Sequence, residues 1–229
     1  MKKSIVISIY IFTFTTSVLF SQNIEKRDPG EFSEISVIGD IRIELYNSNE
    51  YYVEIESEGT ATDNIITELD DGELSLRLRT KTPQDADTKI RVYFPELDII
   101  NVQARALITS IDTLRDDFIE FHARSGGKME LFLDLEHLKA EVKQGAILVF
   151  RGEVEKQEVE VTTGGAYSAY ELEAKDTYIK AGSGSTAKVI ARRVIDANAN
   201  IKSYIGYKGN PVSSVVNTSL GGEVEHITE

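Results

Sequence analysis

The chain has no cysteine and no tryptophan, and only four prolines, two methionines and three histidines among 229 residues. Without cysteine there is no disulfide, thiolate nucleophile, cysteine-ligated metal or lipid-modified cysteine, and thiol usage says nothing of the compartment. The three histidines are His122, His137 and His226, which is little material for a histidine-based site. No GxSxG, HExxH or phosphate-cradling glycine loop occurs, and no dense Asp-x-Asp-x-Asp run that would hold calcium. Positive charge is also short: 25 Lys and Arg against 38 Asp and Glu leave a formal net charge of −13. Such a surface repels nucleic acid and anionic lipid, and it keeps a repetitive β-protein soluble. Nucleic acid is therefore not an expected partner.

Long apolar runs are absent except at the N-terminus. Met1 to Ser21 opens with Lys2-Lys3 and runs uncharged from Ile5 to Phe20. A basic head, an apolar run and a small residue before Gln22 have the pattern of a secretory signal peptide. A single anchoring helix competes with that reading, because the run is close to the minimum for a bilayer span. No basic stop-transfer cluster follows, since Glu25-Lys26-Arg27-Asp28 is mixed. Leu19 stands at the −3 position and fits the small-residue rule poorly, which leaves the cut site open. The expectation is cleavage and an exported chain with no later membrane insertion, residing in the periplasm, on the outer-membrane surface or outside the cell.

What is present is alternation. A hydrophobic share of 41% with 8% aromatics is that of a folded chain. From Phe32 the apolar residues fall at every second position: Ile35 and Val37, then Ile41, Ile43 and Leu45. Asn47 to Glu50 reads as a turn and Tyr51 to Glu56 as the return strand, a hairpin half-buried on one face. Residues 59 to 68 are the one helix-like stretch, with Ala61, Ile65 and Leu69 at four-residue spacing and Asp63 as a cap. Asp70-Asp71-Gly72 then turns into the alternating Glu73 to Arg79, and Lys89 to Phe94 is a strand ended by Pro95.

Beyond residue 98 the alternation becomes periodic. Central small or apolar residues stand at Ala104, Ala123, Val142, Val161, Ala181 and Ala199, spaced 19, 19, 19, 20 and 18 residues apart. Three residues after four consecutive centres comes a glycine: Gly126, Gly145, Gly164 and Gly184. A period near twenty with a recurring corner glycine is the mark of a solenoid. One such turn offers four or five inward apolar residues, worth about 1.5–3 kcal/mol each when buried, against an ordering cost of about 1–2 kcal/mol per residue. A single turn does not fold; stacked turns do. The expected fold is all-β, a parallel β-helix-like solenoid with an N-terminal β-strand layer. Its divisions are 1–21 as signal peptide, 22–88 as β-layer or cap and 89–229 as solenoid repeats, with one continuous domain over 22–229 as the alternative.

Particular stretches carry a family resemblance. Phe32-Ser33-Glu34-Ile35-Ser36-Val37-Ile38-Gly39 with Ile41 to Leu45, then Tyr52 to Glu56 leading to Asp71-Gly72-Glu73-Leu74, resemble the opening of the autotransporter adhesin head (GIN) domain family, bacterial secreted domains of unknown function. The corners Ser125-Gly126 and Ser183-Gly184 and the ending Tyr207-Lys208-Gly209-Asn210-Pro211, then Ser219 to Val224, are similar to its repeats and closing segment. No Gly-Ile-Asn triplet occurs here, so a role tied to that triplet is not carried over. The resemblance implies a right-handed β-helix-like fold, adhesion as a function, and no catalytic residues. The signal peptide is similar to those of the Bacteroidetes group, which implies a Gram-negative envelope.

The residues themselves single out few candidates. Tyr167, Tyr170, Tyr178, Tyr204 and Tyr207 enrich the last third of the chain, and exposed tyrosines stack on sugars; packing is the competing role. Arg124, Lys143, Thr162 and Lys180 read as an outward row on successive turns, with a solvated face as the plainer account. Asp70-Asp71 and Asp116-Asp117 are carboxylate pairs at turns, where aspartate is favoured for backbone reasons. His122 alternates outward, and His137 lies in the acidic stretch Asp134 to His137. No catalytic residue, metal ligand or cofactor is assigned. The expectation is an exported, non-enzymatic surface or envelope module that binds a surface glycan or protein. A polysaccharide-binding or polysaccharide-degrading β-helix is the alternative. A structural component that assembles through its solenoid ends, as an oligomer, is a third.

Overall fold

The computed structural model describes residues 23–58, 62–79 and 87–228; the expected signal peptide lies outside the described residues. In chain order the strands are β1 (Asn23–Arg27), β2 (Glu34–Ile38), β3 (Arg42–Asn47), β4 (Tyr52–Glu58), β5 (Ile65–Asp70), β6 (Glu73–Leu78), β7 (Asp87–Phe94) and β8 (Ile99–Gln103). They continue as β9 (Leu107–Arg124), β10 (Lys128–Val142), β11 (Ile147–Val161), β12 (Ala166–Ala181), β13 (Thr186–Ile190), β14 (Val194–Ala199), β15 (Tyr204–Lys208), β16 (Ser213–Thr218) and β17 (Glu223–His226). Among the described residues, no helix is long and apolar enough to cross a membrane.

Parallel register builds these strands into a solenoid of about seven turns with two walls. The first wall stacks β6, β2, β8, the second halves of β9 to β12, then β14 and β16. The second stacks β7, β3, the first halves of β9 to β12, then β13, β15 and β17. Phe121 of the first wall meets Phe150 of the second at 4.7 Å between ring centres, so the two inner faces share one core.

The sequence dictates where each turn bends. In β10, Met129, Leu131, Leu133 and Leu135 are buried, and so are Leu138, Ala140 and Val142. The alternation slips once, at Glu136-His137, and there the strand passes from one wall to the other. The opposite edge is a tight corner. Ser125 and Gly126 hold φ of 53° and 74°, and Gly127 N–H donates to Arg124 O at 3.0 Å. Two successive positive φ values closed by that bond make a type I′ turn. Gln144-Gly145, Thr163-Gly164 and Ser183-Gly184 repeat it, and each glycine N–H donates to the next corner's carbonyl, as Gly126 does to Gln144 O at 3.1 Å.

Four expectations are corrected. Ala104 is a corner residue with φ of 55°, exposed, and Val102 is the true partner of Ala123, because the first spacing is 21 residues rather than 19. β3 and β4 do not form a hairpin: β7 lies between them, parallel to β3 and antiparallel to β4. The helix-like stretch is a 3₁₀ turn at Thr62–Asn64 followed by β5, because the Asp71-Gly72 corner pairs Asp70 with Glu73 and draws Ile65 to Asp70 into a ladder with β6; residues 59–61 lie outside the described residues. Lys180 is not in the row of Arg124, Lys143 and Thr162, because it pairs in register with Glu160.

The two ends of the solenoid differ. At the N-terminal end β4 adds to β7 and β1 to β4, both antiparallel, while β5 adds to β6. Arg27 on β1 reaches across to the other wall, donating to Ile65 O at 2.5 Å, Thr67 Oγ1 at 2.8 Å and Thr62 O at 3.0 Å. That end is closed. At the other end every residue of β16 is exposed.

Candidate functional site

The five tyrosines divide three ways. Tyr167 faces the core, 1% exposed, edge-on to Phe150 at 5.7 Å. Its hydroxyl donates to Gln157 Oε1 at 2.8 Å, Gln157 Nε2 donates to Thr177 Oγ1 at 2.9 Å, and Thr177 donates to Ile190 O at 2.8 Å. Burial pushes the Tyr167 phenol well above its usual range. It packs and cannot face a ligand. Tyr207 is also an inward residue, stacked at 4.7 Å on His226, whose Nε2 lies 2.7 Å from Gly209 O; the pair lies towards the exposed end of the core. Tyr178 stands alone on the outer face of the first wall, with Lys156 Nζ 5.4 Å from its ring centre.

Tyr170 and Tyr204 come together on the outer face of the second wall. Gly206 lies beneath them: a Cβ there would stand 2.3 Å from the Tyr170 hydroxyl and 2.9 Å from that of Tyr204, so only glycine lets both rings reach this spot. Lys188 and Lys208 place their ammonium groups 5.9 and 5.2 Å from the Tyr170 ring centre. Tyr204 donates to Glu225 at 2.6 Å, and that bond raises its pKa; burial, then the Glu225 charge, raises that of Tyr170. Both phenols stay neutral at physiological pH. The result is an aromatic platform edged by cations.

On the first wall a shallow groove of about 540 Å³ crosses β9 to β12 and β14. Register lines up Glu120, Lys139, Glu158, Tyr178 and Asp196 in one row, with His122, Glu141, Glu160, Lys180 and Asn198 beside it. Lys139 Nζ pairs with Glu120 at 2.7 Å, and His122 lies between Glu120 at 3.2 Å and Glu141 at 3.6 Å. His137 Nε2 lies 3.3 Å from Glu158. Lys143 bonded to Glu141 and Lys156 bonded to Glu158 hold both carboxyls below the usual carboxylate range. Ionised and paired, they are poor proton donors at neutral pH. Among the described residues no group of three His, Asp or Glu converges on a metal position. The sequence reading missed this groove. Its signal was available in the 19-residue spacing of Glu120, Lys139 and Glu158 with alternating sign.

Residues 31–211 match the family model described as "Putative auto-transporter adhesin, head GIN domain". The chain belongs to this family. No curated protein matches it. Solved structures of similar shape include a "putative adhesin" from Bacteroides fragilis, with TM-score 0.78 and 16% identity, covering 91% of this chain and 98% of that one. Another, a "putative adhesin" from Parabacteroides merdae, has TM-score 0.70 and 15% identity, with coverage of 91% and 97%. A "putative lipid binding protein" from Parabacteroides distasonis has TM-score 0.67 and 16% identity, with coverage of 91% and 98%. At such identities the likeness concerns the fold.

Proposed function

We propose that this protein is an exported, non-enzymatic, adhesin-like module that uses the Tyr170–Tyr204 platform to contact a surface glycan or protein. The observation that carries the reading is the convergence of two neutral phenols over Gly206 beside Lys188 and Lys208. Aromatic faces with a polar tip suit both sugar stacking and protein contact. Family membership supports a surface role. The paired, ionised carboxylates of the opposite groove favour binding over proton-transfer chemistry.

The test presents residues 22–229, which contain every described strand, to an array of glycans and matrix proteins, with release of reducing or unsaturated ends followed in the same wells. The expected result is saturable binding without product, weakened about tenfold or more by Tyr170→Ala with Tyr204→Ala. Product release would overturn the non-enzymatic reading. Undiminished binding by the double variant would move the contact off this platform.

A further inference from the structure

We infer that the trough on the outer face of the first wall is a second binding site, separate from the Tyr170–Tyr204 platform, and that it takes a neutral polysaccharide laid along the solenoid axis. The first observation is shape. The groove over β9 to β12 and β14 continues into a second hollow of about 450 Å³ that reaches β8, β2 and β6, and His122 and Glu141 line both. Together they cross eight strands stacked in register, a run of about 34 Å at the usual strand spacing. A concavity this long and shallow fits an extended chain rather than a compact small molecule, which needs a deeper pocket to bury its surface.

The second observation is charge. Six carboxylates and five lysine or arginine side chains line the trough, close to balance on a chain of net charge −13. Three of the cations are bonded to carboxylates of the trough itself: Lys139 to Glu120 at 2.7 Å, Lys143 to Glu141 and Lys156 to Glu158. An anionic chain would have to displace those carboxylates, and a cationic chain would have to displace the ammonium groups. A neutral hydroxyl requires neither exchange. Each ammonium–carboxylate couple sets a donor beside an acceptor, and the vicinal hydroxyls of a sugar ring meet both at once, because every hydroxyl donates and accepts. These couples recur on β9, β10 and β11, so what meets one sugar unit is offered again to the next unit along the axis. Tyr178 breaks the charged row between Glu158 and Asp196; it is 37% exposed and offers an apolar ring of the kind on which sugars stack. An extended peptide would look instead for apolar pockets to hold its anchoring side chains, and this floor is charged and amide-bearing, with Asn101, Gln103 and Asn198 among its residues.

Isothermal titration of residues 22–229 with cellohexaose, mannohexaose and xylohexaose, each beside its disaccharide, tests this. The expected result is that at least one hexasaccharide binds, about tenfold or more tighter than its disaccharide because it spans more turns. Raising NaCl about tenfold, from about 50 mM, is expected to change that Kd less than about twofold, since no net charge is neutralised. Tyr178→Ala and Lys139→Gln are each expected to weaken binding about fivefold or more. Both side chains face solvent, and an unchanged thermal melt shows that each variant is folded. Tyr170→Ala with Tyr204→Ala is expected to leave this binding intact, and Tyr178→Ala to leave the platform's partner bound, so either reading can fail without the other. No hexasaccharide bound at millimolar concentration, tighter binding of polygalacturonate or polylysine, a Kd that climbs steeply with salt, or folded Tyr178 and Lys139 variants that bind like the parent would each overturn the proposal.

Discussion

Ile201 and Lys202 hold φ of 45° and 57° at the corner where earlier turns place Ser125-Gly126, Gln144-Gly145, Thr163-Gly164 and Ser183-Gly184. This corner has the same geometry without the glycine. An L-residue in the left-handed region is disfavoured by about 1–2 kcal/mol, and the second corner position needs that region as much as the first. Part of the relief that a glycine brings is offset by its greater freedom in the unfolded chain. Lys202→Gly is therefore expected to raise stability by about 0.5–1 kcal/mol, read as a higher urea midpoint with an unchanged slope. A lower midpoint would mean that Lys202 makes a contact worth more than the backbone strain. Residue identity also decides the fate of the tyrosines: Tyr167 and Tyr170 are three apart in one strand, yet one faces Phe150 in the core and the other faces Lys208 on the surface.

At the scale of the element, each strand is stable only because its neighbours cover it. Val161 is fully buried at the end of β11, in register with Val142 on one side and Ala181 on the other. An aspartate there would bury a carboxylate with no cation to meet it, a loss of several kcal/mol. Because the turns on both sides lose a wall, Val161→Asp is expected to abolish cooperative folding rather than trim one strand. A thermal melt monitored by circular dichroism decides it: a reversible transition at the parental temperature would show that the turns fold independently. Ion pairs at the wall-to-wall bends add less. Arg115–Asp134 at 3.2 Å, Arg151–Glu171 at 3.0 Å and Arg192–Glu173 at 2.7 Å link successive turns but stand largely in solvent, where such pairs contribute about 0–1 kcal/mol each.

For the molecule as a whole, titration has a definite sign at each extreme. Tyr46, Tyr51, Tyr52 and Tyr93 all have raised pKa values, chiefly through burial, and Tyr93 is pushed up to about 12. A phenol with a folded pKa above its unfolded value binds its proton more tightly when folded. Its contribution is fully present below about pH 10 and is lost as pH rises towards 12. Glu141, Glu158, Glu173 and Asp176 are shifted the other way, first by hydrogen bonds from Lys143, Lys156, Arg192 and Arg193. Their contribution is present above the ordinary carboxylate range and is lost as pH falls below it. Alkaline unfolding is the cleaner measurement, because the chain has no tryptophan. Tyrosinate absorbance is expected to rise in step with loss of strand signal above pH 10. Smooth ionisation of all tyrosines at pH 10 with the fold intact would show that these phenols are not held by the structure.

Much of this architecture was legible from residue order alone. Alternation named the inward residues, since Met129, Leu131, Leu133, Val142, Val161 and Ala181 are all buried as expected. The recurring glycine named the corners, since its φ is positive at Gly126, Gly145, Gly164 and Gly184. Both signals are local: side chains alternate about a strand, and a tight corner tolerates few residues. What the chain could not declare was which strands become neighbours. β7 enters between β3 and β4, Lys180 lies beside Glu160, and Tyr170 meets Tyr204 across the intervening β13 because register pairs residues first 20 and then 18 apart, and a slip of one or two positions reassigns every outward contact. The residues determined that the chain would alternate, turn and stack; the packing of one turn on the next decided which side chains share a face, because that choice is made by backbone hydrogen bonds between segments distant in sequence.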